Sequence, residues 1–188
     1  MGRPELTFKA EDHSYWLGLR RVPSVTQILD EMGIISSFAK SETAAFRGSL
    51  VHKACHLLLL GKLDWSTVDP RILGKVLAYQ KFLDENPVEP IELEQMHLHK
   101  DYLYAGTLDA LVNHRKLGRF LYDLKTGSPA KYHALQTAAY AGFSPGLMRR
   151  ATLFLYDNER YNLRFHNDRT DWSDFISCVN VYRLKEAM

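Results

Sequence analysis

Cysteine is scarce in this chain of 188 residues: Cys55 and Cys178 are its only two. Two thiols are too few for a disulfide framework or a four-cysteine cluster site, so no iron–sulfur cluster is expected. No run approaches the roughly 18 apolar residues of a membrane span, and the N-terminal residues lack an apolar secretory region. The chain therefore reads as soluble and cytoplasmic, without a membrane partner. Charge of one sign is missing too, with a net charge of +2 and a pI near 8.5. Any nucleic-acid contact must come from clustered basic residues and not from a cationic whole. Repeats, low-complexity tracts and linkers are absent. At 46% hydrophobic content the chain is expected to form one domain over residues 1–188, with N-terminal strands and a helix in 1–36 and the main body in 37–188.

Short strands are expected at residues 6–8 and 14–19, around the turn-prone Glu11, Asp12 and His13. Ser24 follows Pro23 and can cap a short helix whose Val25, Ile28, Leu29 and Met32 recur at helical spacing until Gly33 stops it. A longer helix is expected over 37–61, burying Ala44, Ala45, Gly48, Val51, Ala54, Cys55, Leu58 and Leu59 on one face. Gly48 costs about 1 kcal/mol relative to Ala in mid-helix, which suggests that something approaches it closely. His52 lies on the same face, either as a hydrogen-bonded core residue or as a metal ligand. His52 and His56 have the spacing of a zinc-protease helix, but Lys53 stands where that site needs glutamate, so the reading fails.

Asp69 and Pro70 have the form of a helix start, with the end before Asn86-Pro87. A loosely alternating strand follows over 88–99, and a turn near Lys100-Asp101 returns the chain. Beyond the central hairpin, a helix over 130–141 carries Gln136 and Tyr140 four apart on one face. Strands at 151–156 and 161–165 and a helix over 171–185 complete the chain. Trp172, Phe175, Ile176, Val179 and Tyr182 of that helix read as core. Cys55 reads as a small buried hydrophobe.

The most informative stretch is 103–127. Two apolar runs, 106–112 and 120–124, flank a polar connection, which is a β-hairpin signal. With the turn centred near Lys116, Asp109 and Asp123 fall opposite each other, roughly 5 Å apart at Cβ. Carboxylates that close repel unless a cation lies between them. Lys125 shares the strand face of Asp123. Two acids and an amine on one hairpin suit Mg²⁺ or Mn²⁺ and a phosphate, whereas the plainer reading is an exposed hairpin with surface ion pairs. Glu92 and Glu94 are expected on the face that carries Asp109.

Five elements thus occur in order: Gly48-x-x-x-His52, Glu94, Gly106-Thr-Leu-Asp109, Asp123-Leu-Lys125-Thr-Gly127 and Gln136-x-x-x-Tyr140. This set resembles the RecB-like branch of the PD-(D/E)XK nuclease superfamily. The stretch VPSVTQIL is also similar to phage-type exonucleases and the mitochondrial genome maintenance exonuclease. The resemblance implies a restriction-endonuclease-like α/β core: a mixed sheet with an antiparallel three-strand meander, flanked by helices, with residues 37–188 as the catalytic core of a nuclease domain. It implies a metal-dependent DNA nuclease, an exonuclease more than an endonuclease, acting in recombination, repair or phage replication in a bacterial or phage-infected cell. The alternative is a catalytically inactive DNA-binding protein of the same fold.

On that resemblance Asp109, Asp123, Lys125 and Glu94 would be catalytic. His52, Asp109, Asp123 and the Leu124 carbonyl would hold the Mg²⁺ or Mn²⁺, with Lys125 beside the nucleophilic water in its neutral form. Gln136 and Tyr140 would contact the DNA backbone or orient Lys125, and Thr126 would contact DNA, either single-stranded or at duplex ends. Arg47, Lys53 and Lys131 are the nearest basic residues for phosphates, and Arg149-Arg150 could form a second patch. Tyr15, Trp16, Tyr102 and Tyr104 either stack on unpaired bases or pack. A homo-oligomer or a recombination-protein partner is compatible with all of this.

Overall fold

The structure is a computed structural model that describes residues 4–35, 42–144, 146 and 148–188. Three short strands, β1 (Leu6–Lys9), β2 (Ser14–Leu17) and β3 (Arg20–Val22), form an antiparallel sheet in that order. One strand was expected over 14–19. Gly18, at a φ of 61°, ends it at Leu17 and reverses the chain into β3, which was not expected. Ser24 accepts the Gln27 N–H at 2.9 Å and starts α1 (Val25–Glu31), which buries Val25, Ile28 and Leu29.

The next helix, α2, spans Glu42–Leu59, and the expected positions 37–41 lie outside the described residues. Its C-terminal half buries Val51, Ala54 and Cys55. Ala44 and Ala45 are exposed, so the expected apolar face is covered only along its C-terminal half, where α3 and the sheet pack against it. A single 3₁₀ turn at Trp65–Thr67 precedes α3 (Leu73–Glu85). Asp69-Pro70 does not start that helix. The Asp69 carboxylate accepts the Arg71 N–H at 2.8 Å and pairs with its guanidinium at 2.6 Å, closing a turn before the helix begins.

The main sheet has the order β4 (Val88–His99), β5 (Tyr104–His114), β6 (Gly118–Lys125), β7 (Arg149–Leu155) and β8 (Tyr161–His166). The first three strands form an antiparallel meander. From β6 the chain crosses through α4 (Tyr132–Ala141) to the parallel β7, and β8 returns antiparallel. The last helix, α5, spans Thr170–Glu186. On one face of the sheet, Val51 of α2 and Val76, Tyr79 and Phe82 of α3 pack on Ala110, Val112, Phe120 and Tyr122. On the other, Ile28 and Leu29 of α1, Ala139 of α4 and Phe175 of α5 pack on Tyr104, Leu108, Leu111 and Leu121. The fold is a mixed α/β sheet between two helical layers.

Arg150 is not part of a surface patch. It is 8% exposed, its Nη1 donates to the Ala134 carbonyl at 2.8 Å, and its Nη2 pairs with Asp171 at 2.5 Å. It therefore ties α4 and α5 to β7. Arg149 stays at the surface, donating to the Leu117 carbonyl at 2.6 Å and lying over the Phe165 ring. Removing one partner of a buried charge pair leaves the other uncompensated. Arg150→Ala is expected to cost about 3 kcal/mol in urea unfolding, against less than about 1 kcal/mol for Arg149→Ala. Unchanged stability with weakened DNA binding in Arg150→Ala would restore the patch.

Candidate metal centre

The centre forms where three strands lose regular pairing. The β5–β6 ladder runs from His114–Gly118 to Ala110–Tyr122, and its register carries Asp109 toward Asp123, but the ladder stops one pair short. In place of a ladder bond, the Leu124 N–H donates to Asp109 Oδ2 at 2.7 Å. On the other side, β4 shifts register between Pro90 and Glu92, and Glu94 has a φ of 48°. A glutamate in that left-handed region costs on the order of 1–3 kcal/mol, a strain held only by its surroundings. The pleat of β5 changes phase at the same level. Leu108 and Leu111, an odd number apart, share the core with α1, α4 and α5, while Ala110 and Val112 face α2 and α3. Irregular strands can aim side chains that a regular pleat would send to opposite faces.

His52 comes from α2, placing Nδ1 3.2 Å from Asp109 Oδ1. His52, Glu94 and Asp109 each offer one ligand atom, and the three lie within 4.8 Å of one another. Burial works against the imidazolium, but the adjoining Asp109 charge prevails and raises the His52 pKa to about 9. Burial, and then repulsion from Asp109, pushes Glu94 up to about 7. Burial also opposes ionisation of Asp109, yet His52, Lys125 and the Leu124 N–H hold its carboxyl below the usual range. An imidazole beside two carboxylates, one of them strained and reluctant to ionise, is a donor set that fits Mn²⁺ or Mg²⁺.

Asp123 lies outside this trio. It is buried, burial raises its pKa, and its Oδ2 forms an ion pair with Lys125 Nζ at 2.7 Å. Burial disfavours the Lys125 ammonium, but Asp123 and Asp109 outweigh it and raise its pKa, so without metal this lysine is charged. The neutral form expected at a metal site would require those carboxylates to be engaged elsewhere. Glu92 does not join the centre: its carboxylate meets His97 Nε2 at 2.9 Å. The kink at Glu94 separates the two acids that simple alternation would align.

Gln136 and Tyr140 are 3% and 7% exposed, and the Gln136 amide donates to the Tyr140 hydroxyl at 3.0 Å. They stand behind the centre and not on the surface. A Cβ at Gly106 would lie 2.9 Å from the Tyr140 ring, so glycine is required there for the tyrosine to cross β5. Arg47, Lys53 and Lys131 are exposed, and Thr126 is half-buried. Tyr104 is fully buried and Tyr15 is 7% exposed, so both pack; Trp16 and Tyr102 are half-buried.

An open cavity of about 850 Å³ borders the centre, lined by His52, Glu94 and Lys125 together with Gly48, Ser49 and His56. Among the described residues nothing crowds Gly48: Thr126 Oγ1 would lie 3.7 Å from an added Cβ, an ordinary contact. The small side chain leaves the helix backbone open to the cavity. Ser49 was not among the candidates and His56 was weighed only as a zinc ligand, although positions 45, 48, 49, 52, 53 and 56 form a helical stripe that spacing reveals.

No family model matches the chain, and no curated protein matches it. Among solved structures it is similar to the alkaline exonuclease LHK-Exo from Laribacter hongkongensis, 14% identical with a TM-score of 0.40 over 87% of this chain and 92% of that one. So distant a likeness adds no weight to the geometry.

His52 has a folded pKa above its unfolded value, so its contribution to stability is full below about 6.5 and lost as pH rises through about 9. Glu94 acts in the same direction, losing its contribution as pH rises from about 4.5 through about 7. Chelator-treated protein should therefore show His52 titrating near 9 by NMR, and Asp109→Asn should bring it to 6.5 or lower. Metal needs the deprotonated ligands. Saturating Mn²⁺ should raise the melting temperature most at alkaline pH, and an equal rise at pH 5 and pH 9 would contradict this.

Proposed function

We propose that this protein is a divalent-metal-dependent deoxyribonuclease that hydrolyses phosphodiester bonds, acting as an exonuclease in recombination, repair or phage replication. The supporting observation is the convergence of His52, Glu94 and Asp109 within 4.8 Å, with the Asp123–Lys125 pair on the adjoining strand. His52, Asp109 and Asp123 would hold Mg²⁺ or Mn²⁺, with the Leu124 carbonyl as a further ligand and Glu94 reaching it through water or at a second position. When bound, the metal lowers the pKa of a water and offsets charge gained at the phosphorus.

The chain's own groups do the rest. The Leu124 N–H fixes the rotamer of Asp109, and α2 brings His52 to it. Lys125 would orient the attacking water, and once Asp123 has turned away and the ammonium has passed its proton to solvent, the neutral amine can take up the water's proton. Gln136 and Tyr140 act from behind, where Tyr140 senses the Asp123 charge. They would position Asp123 and Lys125 more than touch DNA. Arg47, Lys53 and Lys131 are the exposed cations for the phosphate backbone, and the Thr126-Gly127 turn lets a phosphate approach.

The test is incubation of labelled linear and circular single-stranded DNA, and of linear duplex, with Mg²⁺, Mn²⁺ or EDTA. Linear DNA should be degraded only with metal, circles should survive, and Asp123→Ala and Lys125→Ala should each lose about 10³-fold in rate. Intact DNA with a retained gel shift under all conditions would replace the nuclease with a DNA-binding protein of the same fold. Cutting of circles would make the enzyme an endonuclease.

A further inference from the structure

The small sheet of β1, β2 and β3 has two different faces. Inward, Tyr15 and Val22 pack, and the Tyr15 hydroxyl meets Thr107 Oγ1 at 2.8 Å, two residues from Asp109 on β5. Outward, Thr7 pairs with Trp16 and Trp16 with Arg21, so these three side chains form one row across the strands. Thr7, Lys9, Arg20 and Arg21 are exposed, and Trp16 is half-buried.

The indole is held still. Its Nε1 donates to Ser14 Oγ at 2.7 Å, and Ser14 in turn donates to Asp12 at 2.6 Å. Lys9 Nζ lies 4.4 Å from the ring centroid. A pinned aromatic face bordered by flexible cations is how proteins hold unpaired nucleotides: the ring stacks on a base and the cations meet the phosphates. Stacking of this kind is indifferent to sequence, as a degrading enzyme requires. Lys9 is exposed and its ammonium lies over the ring, so a stacked base would have to move it aside toward a phosphate. Trp16 follows Tyr15 on the same strand but faces the other way, so the platform lies across the small sheet from the Tyr15–Thr107 contact that leads to Asp109.

We infer that the outer face of the small sheet binds a single-stranded segment of the DNA substrate, with one base stacked on Trp16 and adjacent phosphates met by Lys9 and Arg21. The inference rests on the nuclease reading and names the form of DNA it engages. It is tested by fluorescence anisotropy with a labelled oligothymidylate of about 12 nucleotides in EDTA, where cleavage is off, and with a blunt duplex alongside.

Trp16→Ala should weaken oligothymidylate binding about tenfold while Trp16→Phe stays close to wild type. Lys9→Ala and Arg21→Ala should each flatten the logarithmic salt dependence by about 0.7, and blunt-duplex binding should change little. Unchanged binding in Trp16→Ala, or an equal loss in Trp16→Phe, would overturn the inference. The two readings fail separately. Metal-dependent cutting with unaltered Trp16→Ala binding removes the platform alone, whereas absent cutting removes the nuclease and leaves the binding comparison intact.

Discussion

One carboxylate organises this molecule. Asp109 accepts the Leu124 N–H through Oδ2 at 2.7 Å and faces His52 through Oδ1 at 3.2 Å, so a single side chain joins β5, β6 and α2. Its position depends on the ladder ending early, because a continued β5–β6 pairing would have given the Leu124 N–H a backbone partner. Opposite it, β4 bears a left-handed residue, Glu94, at the level where regular pairing also lapses. The sheet gives up hydrogen bonds where its acids gather, and Asp109 recovers one of them.

The charges explain how such an arrangement suits a cation. Three carboxylates, one imidazole and one ammonium gather at the cavity wall, with Asp123 buried, His52, Asp109 and Lys125 half-buried and Glu94 exposed. The groups answer by dividing protons: Glu94 is raised to about 7 and His52 to about 9, while Asp109 stays ionised. Asp123 pairs with Lys125 in the same spirit. Each proton or pairing stands in for charge that a divalent ion would supply, and its arrival would release them together. Perturbed groups clustered at a cavity are where chemistry is expected.

Much of this was legible from residues alone. The strand Val88–His99 has the expected bounds, because Pro87 and the Lys100-Asp101 turn punctuate it. The meander and α5 follow from apolar spacing, which reports burial directly. What spacing cannot report is a departure from the pleat. The positive φ of Glu94, the phase change around Asp109 and the Glu92–His97 pair all break the period of two that the reading assumed. Partners distant in sequence were equally hidden: Arg150 looked like a basic patch until Asp171 and Ala134 closed around it. The start of α3 was misjudged for a local reason, since Asp69 spends its carboxylate on Arg71. Of the site candidates, His52, Glu94 and Asp109 come together, while Asp123 stands apart with Lys125.

The central claim is that these side chains close around one divalent ion. The most direct measurement is the anomalous difference map of a crystal soaked in Mn²⁺. The account requires a peak within bonding distance of His52 and Asp109, with Asp123 turned from Lys125 toward it. A map with no peak there, and the Asp123–Lys125 pair undisturbed at saturating Mn²⁺, would contradict it.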